Sequence, residues 1–392
     1  MLVIITSHPI QYQAPLWREL AADGRVRFEV WFLTPHAVER TYDREFGREF
    51  AWDIDLLQGY PHRFLEVKAG WRLDRFNGIR LRRRWAQEFS AHGVTTVWVE
   101  GWRFRALWQA VSTAHRQRIQ VWMRGENSDL APEPGTRLVW KRLLLRWLFH
   151  RVDRFLAIGS ANRRFYLRHR VNSNQIFPAP YGVDNDRFAA AAASLRPQRN
   201  EFRARWHIAP EAFCVLFCGK FIAKKRPLDL VDAAKSAAAI ASRPIHLLFA
   251  GDGELAGVLR EQLALPGGPP STILGFVNQR DLPTVYAAAD CLVLPSDYGE
   301  TWGLVVNEAL SSGVPAIVSN RCGCAEDLAA PLGAAHVYPS GDIAALARAI
   351  GEVARHPPTA ETMQTVVDAH AFRHTIASVV RLTEPRGPAG LD

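Results

Sequence analysis

The chain has 392 residues, of which 48% are apolar and 22% are charged, and its formal net charge is +9. These proportions are close to those of average globular proteins, which excludes collagen-like, coiled-coil and disordered chains. The length allows two domains, each with its own core. No uncharged apolar run approaches the roughly 18 to 20 residues of a spanning helix, and the opening apolar run lacks a basic leader, so we expect a cytoplasmic protein.

Charge and tryptophan are concentrated in one part of the chain. Residues 1–180 contain 29 Lys and Arg against 17 Asp and Glu, a balance of +12, whereas the balance of the remainder is −3. The same residues hold eleven of the thirteen tryptophans. Basic and amphipathic side chains together suit an anionic membrane surface, at which the protein would be peripheral, or an anionic acceptor. Nucleic acid would also suit this charge, but we expect no nucleic-acid partner.

Apolar strand-like runs alternate with helical patterns in both halves, which predicts α/β architecture with two Rossmann-like domains facing a central cleft. The predicted strands cover residues 2–6, 27–33, 95–100, 119–123 and 154–158, and then 214–218, 245–250, 272–276, 291–295 and 315–319. The stretch 177–188, with its prolines and glycine, predicts the connector. We therefore expect an N-terminal domain over residues 1–180 and a C-terminal domain over 181–370. Residues 371–392 predict a helix that packs back toward the N-terminal domain, followed by a frayed tail.

Two segments of the first half combine cationic and aromatic residues. Residues 71–85 hold the densest such cluster, which we interpret either as a solvated helix face or as a binding surface. Residues 138–151 predict a helix with a face of Leu and Trp side chains. That face either packs on the core, which we favour, or lies in a membrane interface.

The stretch that is richest in polar motifs lies in the second half. It predicts a strand over residues 291–295, a loop that ends in Glu300, and a helix that begins at about residue 302. The first backbone N–H groups of this helix lack intrahelical partners and would form an anion cradle at the carboxyl end of the strand. The residues assigned to this cradle are Thr301, Trp302, Gly303 and Leu304.

Glu308 follows Glu300 by about two helical turns, so the two carboxylates can address different parts of one elongated ligand. A carboxylate is a good acceptor for vicinal hydroxyls, and we interpret Glu308 as a ribose ligand. The structural alternative is a capped helix, in which the helix dipole favours Glu300 and Glu308 is solvated.

Other strand ends of the second half carry further candidate groups. Gly219 ends one strand, and a cationic loop with Lys220 and Lys225 follows it. Such a loop suits a departing diphosphate, because the charge on the diphosphate grows as its bond to the sugar breaks. The turns after the next two strands add the candidates Gly251, Phe276 and Val277.

Two Asp-x-Asp pairs, Asp53 with Asp55 and Asp184 with Asp186, could indicate a metal–diphosphate site. Basic side chains and helix N-termini can neutralise a diphosphate without a metal, so we expect neither a metal nor a cofactor. The five cysteines show no zinc-site spacing, and we expect reduced thiols.

The motifs of the second half keep a specific order and spacing. They are Gly219-Lys220 with Lys225, Ala250-Gly251-Asp252-Gly253, Gly275-Phe276-Val277, Glu300-Thr301-Trp302-Gly303-Leu304, Glu308-Ala309-Leu310 and Gly313-Val314-Pro315. Over roughly residues 178–330 this set resembles the donor domain of retaining glycosyltransferases of the GT-B fold, glycosyltransferase family 4. The chain departs from that family at Lys220, where Arg is usual, and at Gly323-Cys324, where many members have two glycines. Residues 7–17 also lack the glycine that is common in the first loop.

The resemblance implies a nucleoside-diphosphate sugar as donor substrate, with Glu308 on its ribose, Glu300 near the transferred sugar, and Lys220 and Lys225 on the diphosphate. It implies that Glu300, Lys225, Lys220 and Glu126 are catalytic. The first half resembles an acceptor domain less specifically. Its acceptor-binding candidates follow the first strand and a later one, and they are His8, Tyr12, Gln13 and Arg124.

Arg124 and Glu126 have a structural alternative, an ordinary Arg–Glu pair. Glu100, at the end of the preceding strand, is a similar candidate.

The expected function is transfer of a sugar, with retention, to a sugar or lipid-linked acceptor in polysaccharide, glycolipid or glycoconjugate biosynthesis. One alternative is a sugar-nucleotide epimerase or phosphorylase on the same scaffold. Another is a basic membrane- or nucleic-acid-binding protein with a vestigial donor site. A dinucleotide oxidoreductase is disfavoured, because no GxGxxG motif opens the first half.

Overall fold

The computed structural model describes residues 1–36, 38, 41–43, 48–130, 137–297 and 299–384. Its first part is built around one parallel sheet. The elements are β1 (Leu2–Thr6), α1 (Ala14–Asp23), β2 (Phe28–Phe32), β3 (Thr41–Asp43), β4 (Arg48–Phe50), β5 (His62–Phe64), α2 (Trp85–Ala91), β6 (Thr96–Glu100), α3 (Arg105–Arg116), β7 (Gln120–Arg124), α4 (Arg137–Phe149), β8 (Arg154–Ala157), α5 (Ser160–Arg168) and β9 (Ile176–Pro178). The strand order is β5-β2-β1-β6-β7-β8-β9, and β3 and β4 form a separate antiparallel pair.

The second part is built around another parallel sheet. Its elements are α6 (Asn185–Leu195), α7 (Arg199–Arg205), β10 (Phe213–Cys218), α8 (Pro227–Ala241), β11 (Ile245–Ala250), α9 (Ala256–Leu263), β12 (Ser271–Gly275), α10 (Leu282–Ala288), β13 (Cys291–Leu294), α11 (Leu304–Ser311), β14 (Ala316–Ser319), β15 (Val337–Tyr338), α12 (Ile343–Arg355), α13 (Ala360–Ala369) and α14 (Phe372–Thr383). The order is β12-β11-β10-β13-β14-β15. Two Rossmann-like α/β units are present, as predicted.

Both sheets are buried on their two faces, which explains why their strands are continuous apolar runs rather than alternating ones. Strand β10 and strand β11 are buried along their whole length. The predicted strands match the observed ones to within one or two residues at each end.

The last helix, α14, packs on the first unit rather than on the second. Phe372 and Ile376 belong to the same apolar cluster as Leu2 and Ile4 of β1. The Ser378 hydroxyl also donates to the Pro178 carbonyl, at 2.6 Å. The end of the described chain therefore ties the second unit to the first.

One of the two interpretations of residues 71–85, a solvated helix face, was wrong, and so was the start predicted for one helix. Residues 72–84 contain no helix but follow an irregular path, which an isolated bridge between Val67 and Leu81 fastens. The helix after β13 begins at Leu304 rather than near residue 302, because Gly303 takes a positive φ of 110° that a continuing helix does not allow.

A buried guanidinium organises the start of the second unit. Arg203 donates from Nε to the Ala288 carbonyl at 3.0 Å, and from Nη1 to the carbonyls of Pro210 at 3.1 Å and Ala212 at 3.2 Å. Its Nη2 lies 2.5 Å from an Asp290 carboxylate oxygen. The side chain thus joins α7 to the segments that precede β10 and β13.

We expect Arg203→Met to lower the free energy of unfolding by about 2 to 4 kcal/mol, because the substitution leaves buried acceptors without donors. Arg205→Met changes the exposed arginine two residues away and should cost less than about 0.5 kcal/mol. Denaturant titration of both variants measures the difference, and equal stabilities would contradict the role assigned to Arg203.

Candidate active site in the cleft between the two units

The strand order reverses between β1 and β6 in the first sheet and between β10 and β13 in the second. At such a switch point the chain leaves neighbouring strands in opposite directions and opens a crevice at their carboxyl ends. Loops from the two carboxyl edges touch each other. Ser160, after β8, donates from its backbone N and hydroxyl to the two Asp327 carboxylate oxygens, at 2.9 and 2.6 Å, and Asn278 Nδ2 donates to the Ala51 carbonyl at 2.9 Å. The two crevices therefore face each other across one cleft.

An ion pair marks the crevice of the second unit. Lys225 Nζ contacts Glu300 Oε2, to which the Ser296 hydroxyl donates at 3.2 Å. Burial acts to lower the Lys225 pKa, but the charge and hydrogen bond of Glu300 outweigh it, so the pKa lies above its ordinary value. Lys225 is thus a fixed cation beside the β13 loop. Lys220 lies half-buried directly after Gly219.

Unpaired amides lie beside this ion pair. The backbone N–H groups of residues 301–305 donate to no acceptor among the residues that the structure describes. Glycine is required at position 303 for two reasons. Its φ is positive, and a Cβ would lie 2.5 Å from Leu294 Cδ2. The amides of Gly303 and Leu304 open α11, whose dipole favours an anion at that end. Thr301 is exposed.

Gly323 supports the same loop from below. Its N–H donates to the Glu300 carbonyl at 3.1 Å, and a Cβ at this position would lie 1.8 Å from the Thr301 carbonyl oxygen. The next residue, Cys324, is buried with its thiol close to Gly303. The first residue of the Gly323-Cys324 pair must therefore be glycine, whereas the second position accommodates a side chain.

Trp302 does not present its side chain to the cleft. The indole is buried, contacts the rings of Tyr181 and His370, and donates from Nε1 to Asn307 Oδ1 at 2.9 Å. Asn307 Nδ2 in turn donates to the Tyr181 carbonyl at 3.1 Å. The side chain of Trp302 fastens the connector between the two units, and only its backbone amide remains a candidate for ligand binding.

Glu308 is completely buried, which contradicts the solvated alternative. It accepts hydrogen bonds from the Tyr286 hydroxyl at 2.7 Å and from Gln279 Nε2 at 3.4 Å, and Tyr12 of the first unit lies near enough to lower its pKa. Burial raises the Glu308 pKa, although these hydrogen bonds act in the opposite direction. The carboxylate is held as an acceptor, and one of its neighbours comes from across the cleft.

The remaining candidates of the second unit lie at neighbouring turns. A Cβ on Gly251 would lie 1.9 Å from the Gly219 carbonyl oxygen, so glycine lets the turns after β10 and β11 pack together. Phe276 and Val277 follow β12 and line a surface pocket with Trp206.

In the first unit, Gln13 and Arg124 are buried rather than open to a ligand. Gln13 Nε2 donates to Glu100 Oε2 at 3.3 Å, and Arg124 Nη1 lies 3.9 Å from Glu100 Oε1. The guanidinium of Arg124 stacks on the Tyr181 ring at 4.7 Å, and the Tyr181 hydroxyl donates to Glu126 Oε1 at 2.6 Å. The carboxylate nearest to Arg124 is therefore Glu100, not the neighbouring Glu126.

His8 lies at the other side of this crevice. Its Nδ1 is 2.8 Å from the Ser7 hydroxyl, and its ring meets the edge of the His36 ring at a centroid distance of 5.1 Å. Burial, together with the charges of His36 and Arg103, lowers the His8 pKa to about 4. His8 is therefore a neutral imidazole at pH 7.

The structure thus brings together Lys225, Glu300 and the α11 amides, and it places Tyr12 beside Glu308. Sequence reasoning missed Tyr286 and Gln279, the donors to Glu308. Tyr286 lies on an apolar helix, and no local pattern marks it as a partner of Glu308.

The aspartates of these pairs make structural hydrogen bonds, and Asp53 makes one that joins the two units. Both Asp53 carboxylate oxygens accept from the Arg280 backbone N–H at 3.2 Å, and Asp55 accepts from the N–H groups of the turn after it. Asp184 caps α6. Within the described ranges no three His, Cys, Asp or Glu side chains are grouped as metal ligands.

The architecture and the cleft define this protein as a GT-B fold: two Rossmann-like units, with the N-terminus of α11 at the crevice of the second. Residues 198–366 match the family model "Glycosyl transferases group 1".

Relatives of known description are similar over part of their length. A GDP-mannose-dependent alpha-(1-6)-phosphatidylinositol dimannoside mannosyltransferase of Mycobacterium tuberculosis is 28% identical over 258 residues, which cover 65% of this chain and 58% of the relative. A D-inositol 3-phosphate glycosyltransferase of Streptomyces scabiei is 27% identical over 62% of this chain and 54% of its own length. The chain thus spans little more than half of these relatives.

Solved structures share the whole fold. Anabaena Alr3699/HepE in complex with UDP superposes with a TM-score of 0.67 at 15% identity, and the match covers 97% of both chains. A glycosyltransferase from Rickettsia africae superposes with a TM-score of 0.68 at 12% identity, again over 97% of both chains.

Glu100 gives the site a testable pH signature. Burial, opposed by Arg124 and assisted by Glu126, raises the Glu100 pKa to about 7. The folded protein therefore keeps a proton on Glu100 that the unfolded chain loses above its ordinary pKa of 4.5. Stability contributed by this group falls as pH rises from about 4.5 to 7 and stays lowered above it.

We expect Glu100→Gln to remove that pH dependence. The difference in free energy of unfolding between the variant and the wild type should therefore rise in the variant's favour by up to about 3 kcal/mol from pH 5 to pH 8. Denaturant titrations at both pH values measure the gain. Glu66→Gln, a change at an exposed carboxylate, is the control and should follow the wild-type profile. Parallel pH profiles of Glu100→Gln and wild type would refute the expectation.

Proposed function

We propose that this protein is a retaining glycosyltransferase of the family 4 type, which moves a sugar from a nucleoside-diphosphate donor to an acceptor hydroxyl without a metal ion. The observation that carries the proposal is the Lys225–Glu300 ion pair beside the unpaired α11 amides, within the domain that matches the family model. In this arrangement a fixed cation and a helix N-terminus converge on one crevice, as a diphosphate requires.

Each group has a role in the proposed reaction. The bond from the anomeric carbon to the diphosphate oxygen breaks, and the acceptor oxygen bonds to the same carbon. Lys225, Lys220 and the α11 amides stabilise the charge that develops on the leaving diphosphate. The acceptor's proton passes to a leaving phosphate oxygen, and Glu300 contacts the transferred sugar.

Retention is proposed because no carboxylate that the structure describes at this crevice of the first unit is free to act as a general base for attack from the opposite face. Among the described residues near the crevice, Glu126 is held by the Tyr181 hydroxyl and Glu100 is buried against Arg124. A same-face reaction needs no such base, since the leaving group itself accepts the proton.

Glu308 is proposed to bind the ribose. Its carboxylate accepts two hydrogen bonds, and Tyr12 lies beside it in a place that a ribose hydroxyl can take. Binding of the donor therefore exchanges the Tyr12 contact for a ligand contact. Phe276 and Val277 are the candidates for the base.

The acceptor is proposed to be a sugar or a lipid-linked group in glycolipid, polysaccharide or other glycoconjugate biosynthesis. Two of the relatives are described by acceptors that contain inositol, one of them a lipid. His8 and Tyr12 are the residues proposed to contact such an acceptor, whereas Arg124 and Gln13 would act through Glu100. The binding experiment has to identify the donor's base, because one relative is GDP-mannose-dependent and one similar solved structure is a complex with UDP.

The first test measures binding of UDP, GDP, ADP and dTDP by calorimetry. We expect Lys225→Met to weaken the binding of the preferred nucleotide about 10- to 150-fold, the equivalent of about 1.5 to 3 kcal/mol for a hydrogen bond to a charged group. Lys224→Met is the matched control, since its side chain is exposed, and it should bind as the wild type does. Equal losses in both lysine variants would contradict the assignment.

A second test separates ribose from diphosphate. Glu308→Gln should weaken the binding of the preferred nucleoside diphosphate at least about tenfold but leave the affinity for inorganic pyrophosphate unchanged, because only the former carries a ribose. An equal loss for both ligands would place Glu308 outside the ribose site, provided that the variant keeps the melting temperature of the wild type.

A third test addresses the reaction itself. With the matching nucleotide sugar, release of nucleoside diphosphate should depend on an added hydroxyl acceptor and persist in EDTA. Proton NMR of the product should show the donor's anomeric configuration. Loss of turnover in EDTA with recovery in Mg²⁺ or Mn²⁺, or an inverted product, would overturn the corresponding part of the proposal.

A further inference from the structure

Helix α4 carries two apolar stripes, although a helix on the surface of a soluble unit normally needs one. Leu145, Leu148 and Phe149 are buried in the core of the first unit. The second stripe has the helical spacing i, i+3, i+4, i+7 and is solvent-exposed. Its members, with their exposed fractions, are Trp140 (72%), Leu143 (48%), Leu144 (55%) and Trp147 (46%).

The exposed stripe forms one wall of a groove of about 1480 Å³, which we call the α4 groove. Trp147 stacks on Trp108 of α3 with 6.1 Å between ring centroids, and Trp108 meets the edge of the Phe76 ring at 6.1 Å. Phe76 is itself 48% exposed. The core packing that we favoured for the apolar face of this helix thus accounts for only one of its two stripes.

The other wall of the α4 groove is strongly cationic. Its arginines come from the irregular segment before α2 and from α3, and they are Arg80, Arg82, Arg83, Arg84, Arg105 and Arg116. None of the six forms an ion pair with a carboxylate that the structure describes. The described residues that line the groove include no Asp or Glu. Uncompensated charge on one wall and exposed tryptophan and leucine on the other define an amphipathic surface.

Charge and chemistry select the occupant. A second copy of this chain would bring its own arginines against these six, which disfavours self-association. A nucleic acid would satisfy the arginines but leave the aliphatic side chains of Leu143 and Leu144 exposed. An anionic bilayer satisfies both walls, because lipid phosphates attract arginine while the acyl boundary accepts leucine and tryptophan.

The position of the α4 groove agrees with such a partner. Helix α3 starts at Arg105, five residues after the end of β6, so the groove begins at the carboxyl edge of the sheet that faces the cleft. None of the helices in the described part of the chain is long and apolar enough to cross a membrane. A surface of this kind lets the first unit lie on one leaflet.

We propose that the α4 groove docks the protein on the surface of an anionic phospholipid bilayer, with the Trp140–Trp147 stripe in the interface and the arginines on the lipid phosphates. This inference goes beyond the proposed function, because it requires neither donor nor acceptor.

The experiment is flotation of the full chain with vesicles, without nucleotide. Vesicles of phosphatidylglycerol and phosphatidylcholine should bind the protein at least about tenfold more tightly than pure phosphatidylcholine, and binding should weaken with added salt. Trp140→Ser with Leu144→Ser should weaken binding about tenfold or more. Val258→Ser with Leu265→Ser replaces two exposed apolar residues of the second unit and should leave binding unchanged.

The arginine wall has its own variant. Arg82→Gln with Arg83→Gln should weaken binding to the anionic vesicles about 10- to 30-fold, whereas Arg205→Gln with Arg260→Gln, exposed on the second unit, should weaken it less than threefold.

Equal binding of the wild type to anionic and to neutral vesicles would overturn the proposal. So would undiminished vesicle binding by the Trp140→Ser, Leu144→Ser variant. A third contrary result would be a wild type that binds no vesicles but self-associates, with the self-association lost in this variant. Displacement of bound vesicles by duplex DNA at equal charge would assign the groove to nucleic acid and overturn it as well. Lys225→Met should bind vesicles as the wild type does, so failure of the proposed catalysis and failure of the docking surface are distinguishable.

Discussion

The candidate site depends on one topological constraint, the facing of two switch points. Where a parallel sheet reverses its strand order, the flanking loops diverge and no helix covers the crevice between them. Lys225 and Glu300 follow β10 and β13, the two strands at the reversal of the second sheet, so side chains 75 residues apart in sequence form one ion pair. Tyr12 and Glu100 occupy the matching place after β1 and β6. The connectivity of the sheets therefore creates the cleft, and the individual side chains determine its chemistry.

Each crevice contains a buried carboxyl group whose pKa burial raises, and the two groups are held differently. Glu308 is surrounded by hydrogen-bond donors that fix both carboxylate oxygens. Glu100 has one donor at 3.3 Å from Gln13 and an arginine nitrogen at 3.9 Å, and its Oε1 has no hydrogen-bond partner in the described structure. A buried polar atom without a partner costs stability and is typical of functional sites rather than of packed cores. Both oxygens of Glu308 are thus held within the protein, whereas Glu100 retains hydrogen-bonding capacity that its own unit does not use.

The parts of the structure that local pattern determines could be predicted from the sequence. Buried parallel strands are continuous apolar runs, so the central strands of both sheets were predicted to within one residue, whereas the short edge strands β5, β9 and β15 were not predicted. The glycine-containing turns indicated that Lys225 and Glu300 follow strand ends. The burial of Glu308 could not be predicted, because its donors Gln279 and Tyr286 lie more than 20 residues away in sequence. The irregular path of residues 72–84 was also missed, since a run of arginines is compatible with a helix; the turn around Gly78 and the bridge between Val67 and Leu81 exclude one. The second apolar stripe of α4 became visible only when its first stripe was seen to be buried.

The two halves of the chain use positive charge in two physically different ways. The second half has a net charge of −3 and would bind an anion through one partly desolvated lysine and a few oriented amides, which act at hydrogen-bond distance and resist screening by salt. The first half has a net charge of +12 and exposes much of it along the α4 groove, where each charge is screened within about 8 to 10 Å. Charge of this second kind discriminates poorly between individual ligands but sums effectively over an extended anionic surface. The asymmetry in the sequence therefore corresponds to a division between recognition of one small ligand in the cleft and attraction to a surface outside it.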